Sequence, residues 1–218
     1  MKHVRKFTYE GNLEYIENGA GALETRNGTG RFNVEFQNSD QFTAQVSNEY
    51  ELLVRPFTIS RGVTIPVGGY NFNDLSVSYL LGQQRRVSGQ FSLQHGAFYD
   101  GTLTAFGYSG ARVSVTTRFS VEPSVSVNRV QLGAGDFTNT VLRARFDYGF
   151  TPLMFASALV QYSSSDHTVS SNLRFRWEYS PGSEVFMVYT DEHDTLGSGT
   201  PALKNRAVVV KVNRLLRF

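Results

Sequence analysis

Hydrophobic and polar residues alternate with period 2 along nearly all of this chain, and a helical period is hard to find anywhere. The clearest stretch is LRFRWEY. Leu173, Phe175, Trp177 and Tyr179 fall on one side of an extended strand, while Arg174, Arg176 and Glu178 fall on the other. The same sorting recurs upstream, where Phe7, Tyr9, Leu13 and Tyr15 oppose Thr8, Glu10, Asn12 and Glu14. Leu142, Ala144, Phe146, Tyr148 and Phe150 oppose Arg143, Arg145, Asp147 and Gly149. Val113, Val115, Phe119 and Val121 oppose Arg112, Ser114, Thr116, Arg118 and Ser120. The chain finishes on Val208, Val210, Val212, Leu216 and Phe218 against Lys211, Asn213 and Arg217.

This pattern predicts about twelve strands. They cover residues 5–16, 22–37, 41–57, 73–81, 85–96, 102–121, 124–132, 139–150, 153–163, 173–179, 185–190 and 205–218. Short turns are expected at Asn38–Asp40, Gly82–Gln84, Glu122–Pro123, Thr151–Pro152 and Pro181–Ser183. Longer, more polar connections are expected at 60–72, 133–136, 164–167 and 191–204. An even strand number, with short turns at one end and long loops at the other, is the arrangement of a bacterial outer-membrane barrel. The expected fold is therefore all-β: a transmembrane antiparallel up-and-down β-barrel over 1–218, with short periplasmic turns, longer extracellular loops and both termini periplasmic. A soluble β-sandwich shares the alternation, but has no reason to gather its long loops at one end.

Composition agrees with many strands and turns: 20 Gly, 17 Phe and 11 Tyr in 218 residues. The net charge of +2 and the lack of a dense Lys/Arg run give no reason to expect nucleic acid as a partner. Cysteine is absent, which removes disulfides and thiolate metal sites. No run approaches the roughly 18 apolar residues of a membrane helix. Barrels evade that criterion, because only alternate residues meet lipid. The opening MKHVRKFTYEGN has no apolar segment of the kind a secretory leader carries. A chain in the outer membrane would then be mature, truncated or part of a longer protein.

In a barrel, Arg112, Arg118, Arg143, Arg145, Asp147, Arg174, Arg176, Glu178, Lys211 and Asn213 would line the lumen. Phe146, Tyr148, Phe150, Leu173, Phe175, Trp177, Tyr179, Val208, Val210, Val212 and Leu216 would face lipid. Charges in a lumen pair across strands or meet water, whereas in a dry core each would cost several kcal/mol. Salt-bridge ladders are the plain reading of that lining, and a path for a small solute or ion is the sharper one. About twelve strands enclose a narrow bore that long side chains would fill in large part.

Little else in the chain suggests chemistry. Asp191, Glu192, His193 and Asp194 cluster possible metal ligands, but without the spacing or glycine of a calcium loop. A solvated loop is the expected reading there. Ser163, Ser164, Ser165, Asp166 and His167 have the residue types of a hydrolase triad. Adjacent positions on one strand end cannot supply its converging geometry. No catalytic residue, cofactor or metal is expected, and an outer-membrane hydrolase stands only as an alternative.

The final amphipathic strand with its terminal Phe218 resembles the signal that the barrel-assembly machinery reads in outer-membrane barrels, although Arg214 stands where an apolar residue is usual. Other segments resemble a family of Gram-negative proteins in which an N-terminal carbohydrate-binding domain of the family-nine type precedes a long barrel region of unknown function. These are Arg55-Pro56-Phe57 with Ile65-Pro66-Val67-Gly68-Gly69-Tyr70, then Gly96-Ala97-Phe98-Tyr99-Asp100-Gly101, and Gln161-Tyr162-Ser163. The run from Asn172 to Ser183, with Val188-Tyr189, carries most of the likeness. The resemblance implies an outer-membrane location, lipid and the assembly machinery as partners, and a role as anchor or narrow pore. It brings no catalytic residues, and no sugar site comes with it.

Overall fold

A computed structural model describes residues 3–197 and 199–216. The chain is all-β and antiparallel, with 76% of residues in strands and no helix among the described residues. The strands are β1 (Val4–Glu17), β2 (Leu23–Phe36), β3 (Gln41–Leu53), β4 (Phe57–Ser60), β5 (Val63–Ile65), β6 (Gly68–Leu81), β7 (Gly89–Phe98) and β8 (Gly101–Ser109). They continue with β9 (Val113–Ser114), β10 (Phe119–Leu132), β11 (Gly135–Thr151), β12 (Met154–Ser163), β13 (Thr168–Ser180), β14 (Ser183–Asp194) and β15 (Ala202–Asn213). Hydrogen bonding follows the order β1-β2-β3-β6-β7-β8-β10-β11-β12-β13-β14-β15, with β9 on β10 and β4–β5 as a separate hairpin. Among the described residues this path is open and does not close on itself. The chain divides into two compact units, Met1–Ser109 with Ser126–Asn139 and Gly110–Val125 with Thr140–Phe218.

Several expected boundaries move. No turn forms at Glu122–Pro123, because β10 runs straight through it. Proline's fixed φ suits extended backbone. The break falls upstream instead, where Gly110 takes φ 61 and the chain leaves β8. Arg112 and Arg118 are therefore not on one long strand; they flank the short β9. The expected polar loop 191–204 is half strand, since β14 runs to Asp194 and β15 starts at Ala202. The expected connection 60–72 holds a hairpin and the start of β6. The last strand ends at Asn213, so Leu216 lies beyond it, and Phe218 lies outside the described residues. The sorting of loops by length also fails. Residues 133–134 make a tight link where a longer one was expected, and 110–118, expected inside one long strand, holds only the short β9.

Register explains how alternation becomes two chemically distinct faces. In the second unit, Phe146, Ala158, Leu173, Tyr189 and Val208 are aligned in one row across β11 to β15. Tyr148, Ala156, Phe175, Met187 and Val210 form the next row. A one-residue step along each strand turns the chain to the other face. There Asp147, Ser157 and Arg174 align, as do Arg143, Gln161, Ser170, Glu192 and Asn205. The first unit repeats this. Tyr9, Phe32, Ala44, Val77, Leu93 and Phe106 form an apolar row over β1, β2, β3, β6, β7 and β8. Glu10, Arg31, Gln45, Ser76 and Gln94 form the polar row behind it.

The hydrophobic core is small and local. Val63, Ile65, Val130 and Leu132 are its buried members, with Leu53, Ile59, Tyr70, Phe98, Tyr99, Leu103 and Phe137 packed against them. Most large apolar side chains lie outside it and remain exposed.

Candidate functional site

The polar faces carry the fixed polar chemistry of the chain. In the first unit, Arg31 Nε donates to Gln45 Oε1 at 2.9 Å, and its Nη1 lies 3.5 Å from Glu10 Oε2. Asn33 Nδ2 donates to Thr43 Oγ1 at 2.8 Å. Asp74 accepts from Ser47 and, at 2.9 Å, from Gln94. Each bond joins neighbouring strands, so the face is a set of cross-strand ladders. A concavity of about 580 Å³ lies over it, bordered by Lys6, Glu10, Arg31, Asn33, Gln45 and Ser76.

In the second unit, Arg145 Nε donates to Asp147 Oδ1 at 3.1 Å and Arg176 Nε to Glu184 Oε2 at 2.6 Å. Glu184 also accepts from Asn213 Nδ2 at 3.5 Å. Arg174 Nε donates to Asn172 Oδ1 at 2.9 Å. Arg143 faces Gln161 and Lys211 faces Phe186 in register. Glu178 departs from a ladder role, because its carboxylate accepts the N–H of Gly182 and holds the β13–β14 turn. Arg112 and Arg118 border a concavity of about 720 Å³ together with Asp147, Gly149 and Phe155. Eight of the ten expected lumen residues thus share one face of the strands, while Arg112 and Arg118 sit beside β9.

Of the residues expected to meet lipid, Phe146, Tyr148, Phe175, Leu173, Trp177, Val208, Val210 and Val212 share the opposite face. Phe150 stacks edge-on against Tyr148 at 4.8 Å, and Tyr179 against Trp177 at 5.9 Å. Leu216 is exposed past the end of β15.

The two small clusters read from the sequence resolve into structural bonds. Asp191 accepts from Ser171, from Tyr189 at 3.3 Å and from His193 at 3.1 Å, all along or between strands. No group of metal-ligating side chains forms among the described residues. Ser163 Oγ donates straight to Asp166 Oδ2 at 2.8 Å across the β12–β13 turn, with no imidazole between them. That arrangement closes a turn and does not activate a nucleophile.

Two features were not found by reading the sequence. The first is a clamp at Asp40, which is 1% exposed. Its carboxylate accepts from Gly82 N at 2.9 Å, Tyr79 Oη at 2.9 Å, Asn38 Nδ2 at 2.9 Å and two nitrogens of Arg85, at 3.1 and 2.6 Å. It ties the β2–β3 turn to the β6–β7 turn. The Gly82 amide, and then Arg85 and Tyr79, hold its carboxyl down at about 2 against the opposing effect of burial.

The second is the β4–β5 hairpin. It lies on the polar face. Tyr70 and Phe72 share a side with Asp74 and Ser76, and Phe98 shares a side with Gln94 and Gly96. At this level the alternation has changed phase in strand after strand. β6 puts Leu75, Val77 and Tyr79 on the apolar face but Tyr70 and Phe72 on the polar one. β8 does the same with Phe106 and Leu103, and β10 with Val127 and Val130. The result is an apolar patch on an otherwise polar face, and Val63 and Ile65 cover it. Burying two such side chains stabilises the hairpin's seat by roughly 3–6 kcal/mol at 1.5–3 kcal/mol each. Gly135, with φ 143, makes room, since a Cβ there would lie 3.3 Å from a methyl of Val63. Tyr99 closes the edge of the cluster and donates to Glu51 at 3.1 Å. Burial, with the Glu51 charge adding to it, pushes its hydroxyl up to about 12.

The chain matches no family model, no curated protein and no solved structure.

Proposed function

We propose that this protein is a bacterial outer-membrane β-barrel acting as a membrane anchor or narrow pore with a charged lumen. One observation carries the reading: in each unit the strands sort their side chains into exposed apolar rows on one face and hydrogen-bonded polar ladders on the other. Contiguous exposed apolar surface of this extent is foreign to a soluble monomer and is what lipid covers in a barrel. The polar ladders then border water, where their ion pairs need no dry burial. Lipid is the main partner, and a small ion or polar solute is the cargo that such a lining fits. The role is not enzymatic. The likeness to the barrel region that follows a carbohydrate-binding domain agrees with an anchoring role.

An unpaired strand edge in lipid leaves backbone groups unsatisfied, so β1 and β15 must find partners, either each other or further strands. Refolding with and without detergent, followed by electrophoresis of heated and unheated samples, tests the proposal. A heat-dependent mobility shift only in detergent supports it. A folded monomer without detergent refutes it and leaves a soluble sandwich. Aggregation in both conditions means that further strands are required.

A further inference from the structure

We propose that the Phe57–Ile65 hairpin is a fixed constriction inside the bore, and that its exposed threonines, Thr58 and Thr64, line what passage remains. The inference rests on the pore reading above.

The hairpin is fastened by one face only. Val63 and Ile65 are buried, whereas Thr64 between them is exposed, as is Thr58 opposite. Thr58 and Thr64 are aligned across the hairpin with their hydroxyls 3.1 Å apart. Arg61 and Gly62 form the turn, and Gly62 takes φ 79, which favours glycine. The base is pinned as well, because Tyr70 Oη donates to the Pro66 carbonyl at 2.8 Å.

The seat beneath was built for it. An apolar patch on the polar face would be exposed to water in an open bore. Tyr70, Phe72, Phe98 and Tyr99 instead pack ring against ring at 4.8 to 5.7 Å. With Val130 and Leu132 they leave a floor that the hairpin's two aliphatic side chains fill. Ile65 at 1% exposure marks a docked element rather than a loop lying loosely on a surface. A piece of backbone held there occupies part of the cross-section, so the hairpin and not the strands alone sets the bore. The strand faces turned to solvent carry the Thr58 and Thr64 hydroxyls, with Arg61 at the turn as the hairpin's one charge, so charge added at the threonines acts on whatever ion passes.

Single-channel recording in planar bilayers with potassium chloride tests this in the full chain. Replacing 57–65 by a short Gly-Ser linker is expected to raise conductance several-fold. In a salt gradient, T58D/T64D is expected to shift the reversal potential toward cation selectivity and T58K/T64K toward anions. Equal conductance and selectivity in the parent and all variants overturns the constriction while leaving the pore reading standing. Silence of every form that still shows the heat-dependent gel shift overturns the pore and the constriction together. If the linker variant does not refold, the threonine pairs decide alone, since both side chains point away from the seat: opposite shifts support the proposal and identical potentials overturn it.

Discussion

Replacing Asp40 by asparagine is expected to destabilise the protein by about 2 kcal/mol at neutral pH, and by less in acid. Five hydrogen bonds converge on the Asp40 carboxylate from two turns and from Tyr79 of β6. Asparagine keeps the shape but offers one acceptor oxygen and points two N–H donors at groups that are themselves donors. Lowering a carboxyl from 3.8 to about 2 corresponds to roughly 2.4 kcal/mol at about 1.36 kcal/mol per pH unit. The Arg85 side chain is 44% exposed, so solvent screening takes a part of this and leaves about 1–2 kcal/mol. The misplaced amide donors add about 1 kcal/mol. The folded value lies below the unfolded one, so the charge contribution is present above pH 3.8 and is lost as pH falls through about 2. Unfolding by urea, in detergent if the fold requires it, gives the difference between parent and variant at pH 7 and pH 2.5. Other carboxylates cancel in that difference, because their sites are distant and independent. The charge part falls by about two thirds at pH 2.5, so the whole gap should shrink by about a third or somewhat more between the two pH values. A gap below about 0.5 kcal/mol at pH 7, or one that stays constant into acid, refutes the clamp as the source of the stabilisation.

Val209 and Val210 are both 56% exposed and point to opposite faces, so they separate the membrane reading from a soluble one. Val210→Lys on the apolar row is expected to cost about 2–4 kcal/mol of folding stability in detergent or lipid, and Val209→Lys less than about 1 kcal/mol; equal, small effects would contradict a lipid-facing row. Ile65→Ala is expected to cost about 2–5 kcal/mol, and hydrogen exchange should show faster exchange confined to 57–65 and the strands beneath it; uniform protection would show that the hairpin is not seated by this side chain. Tyr99 should titrate near 12 by ultraviolet absorbance. A raised acid favours the folded state below its unfolded value near 10, and that contribution is lost as pH rises toward 12; Tyr99→Phe should remove one high-pH step, and titration of every tyrosine near 10 would show that the Tyr99–Glu51 contact is absent in solution.

The all-β class was legible because a period-2 pattern leaves few alternatives, and the rows built on Phe146, Leu173 and Val208 follow from it once register is known. Register itself was not legible, nor were the places where a strand continues through a residue that usually breaks one. Glu122–Pro123 reads as a tight turn in the sequence, yet the backbone there is extended and Gly110 makes the break. The polar run from Asp191 to Asp194 was read as a loop because its residues are hydrophilic, yet it extends β14, with Asp191 bonded to Ser171 and His193. The hairpin seat is the more instructive miss. Its signal was present as a phase change: Leu75 and Val77 fall on odd positions, and Phe72 and Tyr70 on even ones. Read strand by strand, such a change looks like noise or a bulge. It acquires meaning only when Leu53, Phe72, Phe98, Leu103 and Val130 change phase near one level, which requires the register. Several strands turning apolar side chains toward a polar face at one height predict that something covers them there. Val63 and Ile65, in a segment that reads as loop, are two apolar residues separated by one polar residue, which is the minimum a covering strand needs. The conjunction of a phase change in the strands and a two-residue apolar beat in the connection is therefore the sequence signature of a hairpin folded onto the polar face of the sheet, and neither half carries it alone.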